Sequence, residues 1–127
     1  MIHIYDKKGF VKLFTCEGHT LAGADLANAN LAEANLIQIN LSNANLSNAD
    51  LSHADLRLAN LSGADLSFSN LSHCDLSGAN LAGANLTGAN MTATKMGGAY
   101  IPLATLAIAN PDNPDMAQIK LQPGTGK

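Results

Sequence analysis

Residues 41–61 read LSNANLSNADLSHADLRLANL, with a leucine at every fifth position. The spacing runs without a break from Leu21 to Leu86 and continues in phase to Leu106, with Met or Ile at the three centres between them. These 18 centres define a repeat over 19–108. Two positions before the centre (position −2) the residue is Ala in 13 of 18 repeats, and at position −1 it is Asp or Asn in 14. Repetition this regular predicts a repeat architecture.

A five-residue period excludes the regular alternatives. Five residues advance an α-helix by about 500°, so the leucines would form no stripe. In a straight strand, an odd period places successive leucines on opposite faces. A three-residue strand followed by a two-residue turn fits, with −2 and the centre inward and −1 outward. Four such units close a 20-residue coil, so the 18 repeats make about 4.5 coils. With coils about 4.8 Å apart, the rod is about 22 Å long. Its crossovers should be right-handed.

The predicted core consists of the inward leucines, while the corners carry the turn chemistry. At +2 most residues are Gly or Asn, which accept the positive φ of a type II turn. Six +2 residues are less suited to it, and we expect another turn type there: Glu33, Gln38, His53, Leu58, Phe68 and His73. The core leucines are Leu26, Leu31, Leu36, Leu41, Leu46, Leu51, Leu56, Leu61, Leu66, Leu71, Leu76, Leu81 and Leu86.

The two ends should carry caps, because solenoid ends expose unpaired strand edges. Near the N-terminus, residues 2–5 and 10–14 predict a hairpin whose aromatic residues cover the first coil. Near the C-terminus, Asn113 and Pro114 predict the start of a short helix over 114–121, followed by a mobile tail. The predicted domains are therefore a capping segment (1–18), the β-helix (19–108), and a cap helix with its tail (109–127).

Segments such as Ala24-Asp25-Leu26, Ala44-Asn45-Leu46 and Ala64-Asp65-Leu66 resemble the A(D/N)LXX signature of the pentapeptide-repeat family. The resemblance implies a right-handed quadrilateral parallel β-helix, an all-β fold. It implies little about function, because most members of that family have no assigned activity. One branch binds DNA gyrase as a mimic of duplex DNA.

Composition excludes several function classes. The net charge of −3 does not favour nucleic acid as a partner, and no apolar run of 18 residues suggests a membrane partner. The polar start does not resemble a signal peptide, and two cysteines do not make a disulfide framework, so a cytoplasmic location is expected. A prism filled with Leu and Ala leaves no pocket. We therefore expect no enzyme activity and no cofactor.

Three outward features are candidates for binding. Glu33, His53 and His73 are spaced by 20, so they should stack on one corner about 4.8 Å apart, as a weak candidate metal site. The candidate partner surface consists of exposed apolar residues and one base: Ile37, Arg57, Leu58 and Phe68. Inward Ser69 and Cys74 are interpreted as core fillers.

The sequence favours a non-catalytic structural or protein-binding scaffold, as a monomer or an end-to-end dimer, with an unknown protein partner. One alternative is a DNA-mimicking gyrase-binding protein. Residues 19–108 hold only six acids and two bases, which is sparse beside one charge per about 1.7 Å of duplex axis. The other alternative is an orphan structural or ice-binding rod with outward Ser columns. Asp and Asn at −1 are interpreted as partners of the local backbone.

Overall fold

The computed structural model describes residues 2–16, 18, 20–102 and 120–122. Its main body is a parallel β-helix. From Asp25 to Tyr100, single parallel bridges join position −1 of each repeat to the residue 20 positions further on. These bridges form four columns, so each coil has four sides, as the five-residue period predicts. The repeat therefore forms the predicted four-sided parallel β-helix.

The inside of the β-helix is filled by side chains at −2 and at the centre. Each of the thirteen leucines of the predicted core is at most 1% exposed. Cys74 and Ser69 are buried inward, as predicted for core fillers. Two inward hydroxyls keep hydrogen-bond partners on the backbone, since Ser69 donates to the Leu66 carbonyl at 2.7 Å and Thr94 donates to the Leu71 carbonyl at 2.8 Å. Satisfied in this way, the hydroxyls avoid the cost of burying an unpaired polar group.

One pentapeptide, residues 44–48, illustrates how every backbone N–H finds an acceptor. Ala44 closes a turn onto the preceding central carbonyl at 3.0 Å, and Asn45 donates to the preceding coil at 2.9 Å. Leu46 and Asn48 donate to the following coil at 2.7 and 2.9 Å. The remaining N–H, that of Ser47, donates to the Asn45 side-chain Oδ1 at 3.0 Å. Because the +1 N–H has no backbone acceptor, the Asp or Asn at −1 completes the hydrogen bonding of the unit.

The prediction of a different turn type at six corners is wrong. Glu33, Gln38, His53, Leu58, Phe68 and His73 all adopt φ between 58° and 64°, close to the 72° of Gly23. Only the +2 residue of each turn has positive φ, which is the type II pattern. The reason is the ladder: the +2 N–H must reach the carbonyl of the next coil, and only this backbone conformation directs it there.

The N-terminal segment forms an antiparallel hairpin of β1 (Ile2–Tyr5) and β2 (Lys12–Cys16). The second strand begins two residues later than predicted. The hairpin pairs with the first coil, because Asp6 bridges Ala34 and the N–H of Asn35 donates to the Tyr5 carbonyl at 2.8 Å. Ile4 is 2% exposed and joins the core.

The C-terminal prediction is wrong where the structure describes it. Strand β3 (Tyr100–Pro102) pairs in parallel with β4 (Lys120–Gln122), again at an offset of 20 residues. Lys120 and Leu121 therefore lie in a strand and not in the predicted helix. The rest of that helix, 114–119, and the predicted tail, 123–127, lie outside the described residues. Since β4 keeps the coil offset, the periodic pairing reaches beyond the predicted boundary at 108.

Candidate functional site

Most outward polar side chains are engaged by their own backbone. Oδ1 of Asn45 accepts hydrogen bonds from the Ser47 N–H at 3.0 Å and from the Ser47 hydroxyl at 2.7 Å. Asp50 with Ser52, and Asp65 with Ser67, repeat the pattern. The predicted local role of Asp and Asn at −1 is confirmed. The candidate functional residues are thus those that stand outside this pattern.

One column of position −1 carries charges of both signs. Asp55 and Asp75 are bridged neighbours, and Lys95 follows one coil later. Arg57 grips Asp55 with two bonds, Nε to Oδ1 at 2.9 Å and Nη2 to Oδ2 at 2.7 Å, and its Nε lies 3.9 Å from Oδ2 of Asp75. The side-chain hydrogen bond from Arg57 holds the pKa of Asp55 below its ordinary value. The acids of this column are therefore matched by bases.

Replacing Arg57 by Gln should raise the pKa of Asp55 toward the ordinary aspartate value of about 3.9. Because the wild-type folded pKa is depressed, its contribution to stability is present above the unfolded pKa and is lost as the pH falls through the folded pKa. The variant should therefore lose less stability on acidification. Carbon-detected NMR titration of the Asp55 carboxyl measures the shift. Lys95→Gln is the matched control and should leave Asp55 unchanged, whereas an unchanged Asp55 in Arg57→Gln contradicts the ion pair.

The predicted partner surface is divided between two corners. Ile37, Arg57 and Leu58 lie together at the corner that follows Leu36 and Leu56, and we call them the corner patch. Ile37 is 39% exposed and Leu58 is 57% exposed. Phe68, 62% exposed, lies two corners further along the coil, which is the diagonally opposite corner of the four-sided rod.

Glycines in the next coil make room for the two largest exposed side chains. A Cβ added to Gly78 would lie 2.6 Å from Cδ2 of Leu58, and one added to Gly88 would lie 2.6 Å from the Phe68 ring. Leu58 and Phe68 therefore lean along their columns over glycines. The positive φ of both glycines, 71° and 69°, adds a second reason for glycine at these positions.

His53 and His73 stack as the 20-residue period predicts. Their ring centroids are 4.8 Å apart and the ring planes differ by 3°. Both rings are exposed, and Glu33 occupies the same column one coil earlier. Within the residues that the structure describes, no group of three His, Cys, Asp or Glu side chains could hold a metal ion. The three-ligand arrangement of Glu33, His53 and His73 is thus not formed.

Cys74 is sequestered from chemistry at the surface. Its side chain is fully buried, and burial raises the pKa of the thiol. Because the thiolate is the reactive form of cysteine, this residue is unsuited to nucleophilic attack.

The loop of the N-terminal hairpin is a feature that sequence reasoning missed. Its aromatics were expected to cover the first coil, but Phe10 is 86% exposed and Tyr5 is 41% exposed. The neighbouring Val11 is 53% exposed. The side chain that enters the core is Ile4. A signal was available in the run of Lys, Gly, Phe and Val over 7–12, which has no inward alternation. In the described part of the chain, no helix is long and apolar enough to cross a membrane.

Comparison with known proteins agrees with this geometry. The family model of pentapeptide repeats matches residues 24–63 and 59–98. A pentapeptide repeat protein from Nostoc Pcc 7120 is 40% identical, with a TM-score of 0.61 over 77% of this chain and 84% of that chain. A pentapeptide repeat protein of the Arabidopsis thaliana thylakoid lumen is 32% identical, with a TM-score of 0.52 over 65% of this chain. The match spans 53% of the Arabidopsis protein.

No curated protein matches the chain significantly. The family model covers more than half of the sequence, and the Nostoc protein shares both sequence and backbone with it. The coil is accordingly a right-handed β-helix solenoid, built as a general repeat scaffold. The chain belongs to the pentapeptide-repeat family.

Proposed function

We propose that this protein is a non-catalytic scaffold that binds a protein partner through the corner patch of Ile37, Arg57 and Leu58. The observation that carries the proposal is the contrast between this corner and the surrounding sides. Elsewhere on the coils the outward side chains are short and bonded to their own turns. Here two aliphatic side chains lie exposed on adjacent coils beside a guanidinium.

The composition of the corner patch suits protein recognition. Apolar contacts flanked by an arginine are typical of the residues that contribute most to protein interfaces. Leu58 adopts a positive φ, so its backbone is held by the coil and its side chain is presented at a defined place. A rigid presentation lowers the entropy lost when a partner binds.

The gyrase alternative is less well supported by the charges. A duplex mimic needs dense negative charge along one side, since each phosphate contributes one charge. The column of Asp55 and Asp75 is offset by Arg57 and Lys95, and the columns that contain Asp25 and Asp50 alternate with Asn. Supercoiling by gyrase should therefore be unaffected by the protein.

The ice-binding alternative is weakened by the outward serines. The hydroxyls of Ser42, Ser62, Ser52 and Ser72 donate to Asn or Asp side chains two residues earlier, at 2.6 to 2.7 Å. Their donors are therefore committed within the turn and do not present a regular array to water.

Photo-crosslinking tests the scaffold proposal. A benzoylphenylalanine at position 58 should form an adduct with one partner in a lysate of the source organism, and excess unlabelled wild-type protein should abolish it. The control label at position 28, also a +2 residue with positive φ, should form no such adduct. Leu58→Ser should compete poorly. Equal labelling from both positions contradicts a partner site at this corner.

A further inference from the structure

The loop of the N-terminal hairpin combines three properties that no other described part of the chain combines. We define the hairpin tip as residues 7–12, Lys-Lys-Gly-Phe-Val-Lys. It holds Phe10, which is 86% exposed, and Val11, which is 53% exposed. It also holds three of the seven basic residues of the chain. An exposed aromatic of this kind is not explained by the packing of the β-helix.

The tip is held in shape by Asp6. Its carboxylate Oδ1 accepts the N–H groups of Phe10 at 2.9 Å and Val11 at 3.1 Å. Its backbone N–H donates to the Val11 carbonyl, and its carbonyl accepts from Gly9, both at 2.9 Å. The hydrogen bond from the Val11 backbone lowers the pKa of Asp6, which keeps the carboxylate ionised at neutral pH. Phe10 and Val11 are therefore presented by an ordered loop.

The charge of the chain is divided between the tip and the rod. Residues 6–12 hold three lysines and one aspartate, a net charge of +2. Since the whole chain carries −3, the rest carries −5. The tip also lies apart from the corner patch, because the Lys7 N–H donates to the carbonyl of Glu33, at the corner that precedes the strand leading to Ile37. An anionic surface would therefore attract the tip and repel the rod.

We propose that the hairpin tip docks on an anionic lipid bilayer, with Phe10 and Val11 inserted at the interface and Lys7, Lys8 and Lys12 facing the lipid headgroups. A protein partner would need a pocket shaped for a convex phenylalanine and rimmed by acids. A fluid bilayer accepts a convex apolar group without a preformed pocket, to a depth of about 5–10 Å. Basic residues supply the second attraction that weak apolar insertion needs, within a Debye length of about 8 Å.

This proposal replaces the sequence-based expectation of no membrane partner, which considered only a spanning segment. It is independent of the proposed scaffold role, because the corner patch is not used. The orientation follows from the charges: the hairpin end meets the lipid, and the acidic rod projects away from it.

Sedimentation with lipid vesicles tests the proposal. The full chain should bind vesicles of two parts phosphatidylcholine to one part phosphatidylserine, and should bind pure phosphatidylcholine vesicles much less. Lys8→Gln should lower the partition coefficient about fivefold, and Phe10→Ser about tenfold. Phe68→Ser is the matched control, since Phe68 is 62% exposed but lies among uncharged neighbours, and it should bind as wild type does.

A spectroscopic measurement gives a second, independent readout. The chain has no tryptophan, so Phe10→Trp introduces a single reporter. Its emission should shift to the blue with the mixed vesicles, whereas Phe68→Trp should not respond. Added salt should weaken binding, because the lysine attraction is screened. Equal binding to both vesicle compositions, or an equal loss in Phe10→Ser and Phe68→Ser, would overturn the proposal.

Discussion

Replacing Leu61 by Ala should destabilise the protein by about 2–5 kcal/mol. Leu61 is 0% exposed and lies at the centre of a repeat with a coil on either side. The free energy of unfolding falls for two reasons: the removed methyl groups lose their burial, and the closed coil limits how far neighbours can collapse into the cavity. The backbone ladder holds each coil at its spacing, so the loss should lie in the upper part of the range.

The matched control for Leu61→Ala lies three residues away. Leu58 is the same residue type at an exposed corner, so Leu58→Ala should change stability by only about 0.5 kcal/mol or less. Urea unfolding followed by circular dichroism gives both values, with an unchanged m-value as the sign that only stability has changed. Equal losses in the two variants would contradict the assignment of centres as inward.

Replacing Ala59 by Leu should also destabilise the protein, by about 1–3 kcal/mol. Ala59 is 1% exposed and points inward at position −2, where the space of the coil is already filled by central leucines. Three extra carbons at this position must displace neighbours or strain the closed coil. The melting temperature should therefore fall, although the substitution adds apolar surface.

An outward alanine provides the comparison for Ala59→Leu. Ala27 lies at position +1, half-buried on a corner, where a larger side chain can extend along the surface. Ala27→Leu should leave the melting temperature nearly unchanged, within the effect of about 0.5 kcal/mol typical of surface substitutions. An unaffected melting temperature in Ala59→Leu would be incompatible with an inward position −2.

The sequence by itself determined the coil. A leucine at every fifth residue is compatible with a three-residue strand and a two-residue turn, and with neither a helix nor a straight strand. The stacking of His53 on His73 followed from the same arithmetic, because 20 residues make one coil. The Asp or Asn at −1 was also interpretable in advance, since its side chain can accept the N–H two residues later.

The tertiary structure alone decided the corners and the ends. Turn preferences indicated another conformation for Leu58 and Phe68, yet both adopt positive φ. A strained conformation of this kind costs about 1–3 kcal/mol, and the bonds that each repeat makes to adjacent coils can offset it. Local propensity therefore yields to the closed ladder.

At the ends, the sequence indicated a helix where Lys120 and Leu121 form a strand, and a lid where Phe10 is exposed. Local signals such as Asn-Pro or an aromatic cluster are compatible with several structures. The choice between them depends on which backbone groups the last and first coils leave unpaired. In this protein the hydrogen-bonding edge of Tyr100–Pro102 pairs with β4, and the Asp6 carboxylate holds Phe10 and Val11 in the loop beside the first coil.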